Sequence, residues 1–144
     1  IQRGAAIAAL VMLLERARRR VEVDLVICNG WEKDNWCKVT VCLKSAGQDL
    51  DLAKLVFALA HPASFRRLYF AWMERQGKEF RDYFGVYAGK GYGRVLELPA
   101  DMREGIYVPG AKWGDTQWQS EQSATGWILA NLKEQGVELR EGVR

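Results

Sequence analysis

The chain has 144 residues, 49% of them hydrophobic and 27% charged, ordinary proportions for one globular domain long enough to bury a core without staples. Its 21 Lys and Arg against 18 Asp and Glu give a net charge of +3, too small by itself to mark a nucleic-acid protein. The longest early apolar run, residues 5–14, is far short of the roughly 20 residues of a bilayer span, which excludes a membrane partner there. Positive charge follows that run, in Arg16–Arg20, instead of preceding it as in a signal peptide.

In chain order, Ile7, Leu10, Val11 and Leu14 recur at helical spacing and predict a helix over residues 3–19. Its opening residue, Ile1, is already inside the pattern and is not a Met, so the sequence reads as a fragment or processed piece of a longer protein. Val21, Val23, Leu25 and Ile27 alternate with polar neighbours as a strand, and Asn29-Gly30 marks a turn. Val39, Val41 and Leu43 form the inner face of a second strand, antiparallel to the first. On its other face Lys38 and Lys44 guard a sheet edge. Cys28, Cys37 and Cys42 are odd in number, and Cys28 and Cys42 lie in strand-like runs. They read as reduced, packed thiols of a cytoplasmic protein, with a Cys28–Cys37 bridge across the hairpin as the alternative.

Asp49 or Asp51 can cap the next helix, Leu52 to Ala60, which is apolar nearly all round and therefore predicted to be buried on both sides. Pro62 opens a third helix whose packing stripe is Phe65, Leu68, Tyr69, Trp72 and Met73. Gly77 interrupts it, residues 78–84 make a short helix, and Gly85–Gly93 is a glycine-rich loop. Val95–Leu98 is a short strand closed by Pro99, and residues 100–118 form an irregular excursion. Ser120 caps a last helix with Ala124, Trp127, Ile128 and Leu132 on its inner face, Gly136 stops it, and Val137–Leu139 supplies a final strand.

A last helix and strand of this kind imply a right-handed crossover onto a partly parallel sheet. The strands are too few for a complete doubly wound sheet, which a parallel strand before residue 1 would repair. Residues 3–23, an alanine-rich helix running into Val21-Glu22-Val23, resemble the first helix and second strand of the von Willebrand factor A-like fold. Residues 38–59, KVTVCLKSAGQDLDLAKLVFAL, are similar to the edge strand and following helix of its bacterial members. The stretch FALAHPASFRRLYFAWMER, residues 57–75, further resembles a family found in bacterial and phage genomes. The resemblance implies a single α/β domain over residues 1–144. It would be a three-layer, Rossmann-like mixed sheet with an antiparallel edge strand and helices on both faces, its first central strand missing. The metal motif of that class, Asp-x-Ser-x-Ser, does not occur in this sequence, so no metal is carried over.

Catalytic candidates are sparse. His61 is the sole histidine and stands before Pro62, where capping or packing explains it. The cysteines contain no Cys-x-x-Cys pair for zinc. Residues 89–93, Gly-Lys-Gly-Tyr-Gly, lack the spacing of a phosphate loop and the Ser or Thr after the lysine. Asp101, Glu104 and Asp115 stand in a loop with no nucleophile–base pair. The sequence therefore points to no enzyme, no cofactor and no metal.

Two surfaces rise above this background. Trp31 and Trp36 flank a charged hairpin loop, and Trp113 and Trp118 sit in the long excursion; tryptophans in loops serve as protein-interface anchors or fold back as lids. These four define the preferred expectation, a non-catalytic protein-interaction domain of a bacterial, phage or mobile-element protein. Between residues 65 and 94, Arg66, Arg67, Arg75, Lys78, Arg81, Lys90 and Arg94 face three acidic residues, a local charge of +4. They are interleaved with Tyr69, Trp72, Phe80, Tyr83, Phe84, Tyr87 and Tyr92. Basic side chains that hold phosphates beside aromatics that stack bases make single-stranded nucleic acid the alternative partner. The competing view is that the aromatics are helix core.

Overall fold

In a computed structural model the described residues are 2–30, 36–86, 96–112 and 114–136. The first helix, α1 (Gln2–Arg16), is shorter than the pattern predicts. Arg18 adopts φ 58°, and the amides of Arg18 and Arg19 donate back to Glu15 O and Leu14 O, a left-handed stop that ends the helix before the basic run is used up. Strand β1 (Val23–Gly30) pairs antiparallel with β2 (Trp36–Lys44). The register places Ile27 beside Val39 and Leu25 beside Val41, as the alternation predicts.

Lys44 departs from its expected place. A register shift at Val23/Asp24 leaves Leu43 as an extra residue on β2, and the alternation breaks there. Lys44 is then 2% exposed instead of guarding an open edge. Its ammonium sits 2.8 Å from a Glu15 carboxylate oxygen and donates to Val21 O (3.0 Å) and Ser45 O (3.1 Å). The same Glu15 oxygen accepts from the Val21 amide at 3.0 Å. Lys44 and Val21 together hold the Glu15 carboxyl below its ordinary pKa. A buried charge is tolerable because every donor has a partner, and the end of α1 is thereby tied to the end of the hairpin.

Helix α2 (Leu52–Ala60) occupies the residues the sequence assigns, capped by Asp51, whose carboxylate accepts from the Lys54 amide at 3.0 Å. It meets α1 where a Cβ on Gly4 would lie 2.6 Å from Ala60 Cβ and 2.7 Å from Leu59 O. After Pro62 the chain runs through a π-helical stretch (Ser64–Tyr69) into α3 (Phe70–Glu74), then α4 (Lys78–Tyr83). Two single 3-10 turns, Ala100–Met102 and Thr116–Trp118, punctuate the excursion, and α5 (Glu121–Glu134) closes the described fold. Ser120 and Ser123 cap α5 reciprocally, and Gly136 at φ 79° follows its end.

The core is built of three clusters. Ala8 and Val11 of α1 pack with Leu43 and Leu55 under the hairpin. Ile7, on another side of α1, packs with Ile128 and Leu132 of α5. Tyr69, Met73 and Val86 form the third, against Ile27 and Val39 of the hairpin. Arg3 ties the excursion to α1 by donating to Pro109 O (2.7 Å) and Val108 O (2.9 Å).

A three-layer von Willebrand A-like sheet is not what these residues form. Among the described residues the sheet has two antiparallel strands only. The strand expected at residues 95–98 shows why at Leu98, whose amide donates to Tyr107 Oη (3.1 Å) and whose carbonyl accepts from Arg103 Nε (2.9 Å). Side chains thus satisfy backbone groups that a neighbouring strand would otherwise take. The strand expected at Val137–Leu139 lies outside the described residues. The fold is a mixed α/β arrangement of helices around one hairpin, and the resemblance to the three-layer class does not survive it. The alternative disulfide fails on register: Cys28 stands opposite Lys38 and Cys37 opposite Asn29, on opposite faces of the sheet, and both thiols are free. Burial pushes both thiols up, which keeps them protonated.

Candidate interaction surface

The segment that opens at Pro62 starts from a local device. His61 Nδ1 accepts from the Ala63 amide at 3.2 Å, and the imidazole stacks on Phe57 with centroids 5.3 Å apart, so capping and packing account for the lone histidine. Ser64, buried, donates its hydroxyl to Ala58 O and to His61 O, both at 3.0 Å. These bonds bracket the corner between α2 and the next helix.

The π-helical stretch then decides which side chains face inward. The Phe70 amide donates to Phe65 O, one residue further back than in an α-helix. This widened turn shifts the expected stripe. Tyr69 and Met73 are buried, Phe65 and Phe70 pack against them, and Leu68 is turned out to 63% exposure. Trp72 is also exposed at its edge.

The aromatics of this region largely spend their faces on one another. Phe65 contacts Tyr69 at 5.1 Å and Phe70 at 5.2 Å; Tyr69 stacks on Trp72 at 6.0 Å; Trp72 meets Phe80 edge-on at 5.8 Å; Phe80 meets Phe84 at 4.6 Å. Such ring pairs stabilise a core beyond their area alone. The competing view of these aromatics as core therefore describes most of them, Tyr83 and the Trp72 edge excepted.

The basic residues divide. Arg66, Arg67 and Arg75 are exposed, and none of their side chains makes a hydrogen bond or ion pair among the described residues. Lys78 is paired with Asp82 one turn along α4. Arg81 is half-buried, with its Nε enclosed and without a partner among the described residues. Lys90, Tyr92 and Arg94 lie outside the described residues, as does the whole Gly-Lys-Gly-Tyr-Gly run. What helix 62–75 leaves exposed is Arg66, Arg67, Leu68, Trp72 and Arg75. Leu68, Trp72 and Arg75 follow one another at four- and three-residue steps along one side.

Of the tryptophans, Trp31 and Trp113 lie outside the described residues, as does the side chain of Trp36. Trp118 is half-buried against Trp127, centroids 4.9 Å apart, beside the α1–α5 cluster, and its indole N–H has no partner among the described residues. It is folded back as a lid.

The sequence pattern missed a second surface. Helix α2 buries Leu55 alone. Leu52, Val56 and Phe57 are exposed, Phe57 by 42%, where the all-round apolar pattern predicts burial on both sides. Leu52 with Val56 and Ala53 with Phe57 are four-residue pairs along the helix. α1, the hairpin and the π-helical stretch all touch α2, and Leu52, Val56 and Phe57 stay exposed among them.

Among the described residues no three His, Cys, Asp or Glu side chains are grouped to hold a metal ion. Glu104 pairs with Lys38 at 3.5 Å, Asp115 accepts from the Lys112 amide at 2.7 Å, and Asp101 is exposed in its turn. Glu97, paired with Lys112 at 2.7 Å, raises that lysine's pKa. No helix among the described residues is long and apolar enough to cross a membrane.

A family model described as a domain of unknown function (DUF7192) matches residues 1–138. No curated protein and no solved structure matches the chain.

Proposed function

We propose, from the premise that the chain belongs to the DUF7192 family, that it is a non-catalytic interaction domain whose helix 62–75 docks an acidic, amphipathic protein segment. The observation that carries this reading is the exposed Leu68 beside Trp72, on a helix whose exposed Arg66, Arg67 and Arg75 side chains have no partner among the described residues. A leucine on the outside of a helix has nothing to gain from water, and an apolar contact rimmed by guanidinium groups complements a helix that carries leucines between glutamates. Arginine is also the cation best suited to holding carboxylates at an interface.

The nucleic-acid alternative shares the arginines but needs ring faces open to bases. Trp72 has one face against Tyr69 and meets Phe80 edge-on, so the stacking platform is largely occupied. Charge supports both partners; the occupied rings and the outward leucine favour protein.

The test is a fluorescence-anisotropy titration with a labelled helical peptide of leucines flanked by glutamates. A lysine-for-glutamate counterpart and labelled oligothymidylate serve as comparators. Saturable binding of the acidic peptide alone, weakened roughly 30-fold by Leu68→Glu, is the expected result for loss of a central anchor. Tighter binding of oligothymidylate, losing affinity steeply with salt and with Arg66→Glu or Arg67→Glu, would replace this reading with the nucleic-acid one.

A further inference from the structure

The chain itself carries a segment of the chemistry that the basic helix fits. Helix α2 exposes Leu52, Val56 and Phe57 on one side, and Asp49 and Asp51 stand exposed at its N-terminal end. Lys54, the one basic residue of α2, stands three residues before Phe57 and borders that side. An acidic-ended helix and a basic-rimmed helix are therefore both present, each with exposed apolar side chains.

We infer that the protein pairs with a second copy of itself, α2 of one copy docking on the Arg66–Arg75 side of the other. This rests on the docking reading above and names its occupant. Three features argue for it. Apolar side chains face apolar side chains: Leu52, Val56 and Phe57 against Leu68 and Trp72. Charges of opposite sign meet at the rim, Asp49 and Asp51 against Arg67 and Arg75. The two surfaces also belong to consecutive helices, joined at the corner where His61 stacks on Phe57 and Ser64 bonds Ala58 O. One copy thus carries both halves of the contact.

The experiment is sedimentation of the whole chain across a range of protein and salt concentrations, with exposed-residue variants checked for folding by circular dichroism. A dimer that weakens with salt is expected, and Phe57→Glu or Leu68→Glu should each weaken it roughly 30-fold or more. Asp49→Lys and Arg67→Glu should each weaken it roughly several-fold, and the double variant carrying both should recover, because the swapped charges face each other again. Titrating the Phe57→Glu protein with the leucine–glutamate peptide separates the two proposals, since its basic helix is intact. A wild-type monomer whose Phe57→Glu form binds the peptide overturns self-pairing and leaves the docking reading standing. A monomer that binds no peptide overturns both. A dimer indifferent to Phe57 and Leu68, or one that the charge swap does not restore, places the contact elsewhere and overturns this pairing.

Discussion

Helix α2 and the helix that follows it invert one another. The first is apolar nearly all round and reads as buried on both sides, yet it buries one residue and leaves Leu52, Val56 and Phe57 exposed. The second is crowded with arginines and aromatics and reads both as a packing stripe and as a ligand surface, and most of its rings are core. Apolar content states how much surface must be covered, whereas neighbouring elements decide which side is covered. In α2 the neighbours are α1, the hairpin and the π-helical stretch, and between them they bury Leu55 alone. In the second helix the hairpin and α4 enclose Tyr69 and Met73 and leave Leu68 outside.

The sharpest way to test that division is to truncate one residue from each side. Met73 is fully enclosed in the third cluster, and Met73→Ala should cost about 2–5 kcal/mol of stability in urea denaturation, through lost burial and the cavity left behind. A loss near zero would mean that the aromatic cluster is loosely packed and that its rings remain available to a ligand.

The Lys44–Glu15 tie comes next, and it tests the first cluster instead of the third. Lys44→Met keeps the length of the side chain but strips the partners from Glu15, Val21 O and Ser45 O; about 1–3 kcal/mol should be lost. The pH dependence has a definite sign. Glu15 titrates below its ordinary value in the folded chain, so its contribution is fully present above the ordinary glutamate range and is lost as pH falls through the folded value. Glu15→Gln should therefore flatten the acid limb of a stability–pH profile, and an unchanged limb would show that the tie does not couple to folding.

Gly4→Ala probes how closely α1 and α2 approach. Alanine favours a helix over glycine by about 0.8–1 kcal/mol, but its methyl would press on Ala60 and on the Leu59 carbonyl, which cannot swing away. Overpacking of about 1–3 kcal/mol should outweigh the propensity gain and leave a net loss measurable by thermal melting. A stabilised variant would mean that the helices separate freely, and α2 would then owe its exposed side to a loose attachment.

Much of this was legible in the sequence where one physical rule acted alone. The α2 boundaries followed from a cap at Asp49 or Asp51 and from Pro62, the α5 boundaries from Ser120 and Gly136, and the antiparallel hairpin from strict alternation. Reading failed where two rules competed. The bulge at Leu43 moved Lys44 from the edge to the interior, and no local pattern announces a bulge. The π-turn after Ser64 displaced the periodicity by a residue, so Leu68 was assigned inward. Residues 96–98 have strand composition, but Tyr107 and Arg103, close in sequence, bond Leu98 first. Of the candidate surface, its arginines were visible as a cluster; that Leu68 stands among them depends on the π-turn and was not.

Leu68 is therefore where the comparison comes to its finest point. Leu68→Ser removes an apolar side chain that the fold leaves 63% exposed, and the stability change should fall within about 0.5 kcal/mol of zero, as for surface substitutions away from packed features. Set against a loss of about 2–5 kcal/mol for Met73→Ala, five residues along the same helix, that near-silence would establish that the helix has a packed side and a presenting side. A Leu68→Ser loss comparable to that of Met73→Ala would instead put Leu68 in the core, and the docking surface would lose its centre. The same variant should still lower affinity for the acidic peptide, so a side chain neutral for folding and costly for binding is the signature that separates a presented leucine from one merely left over.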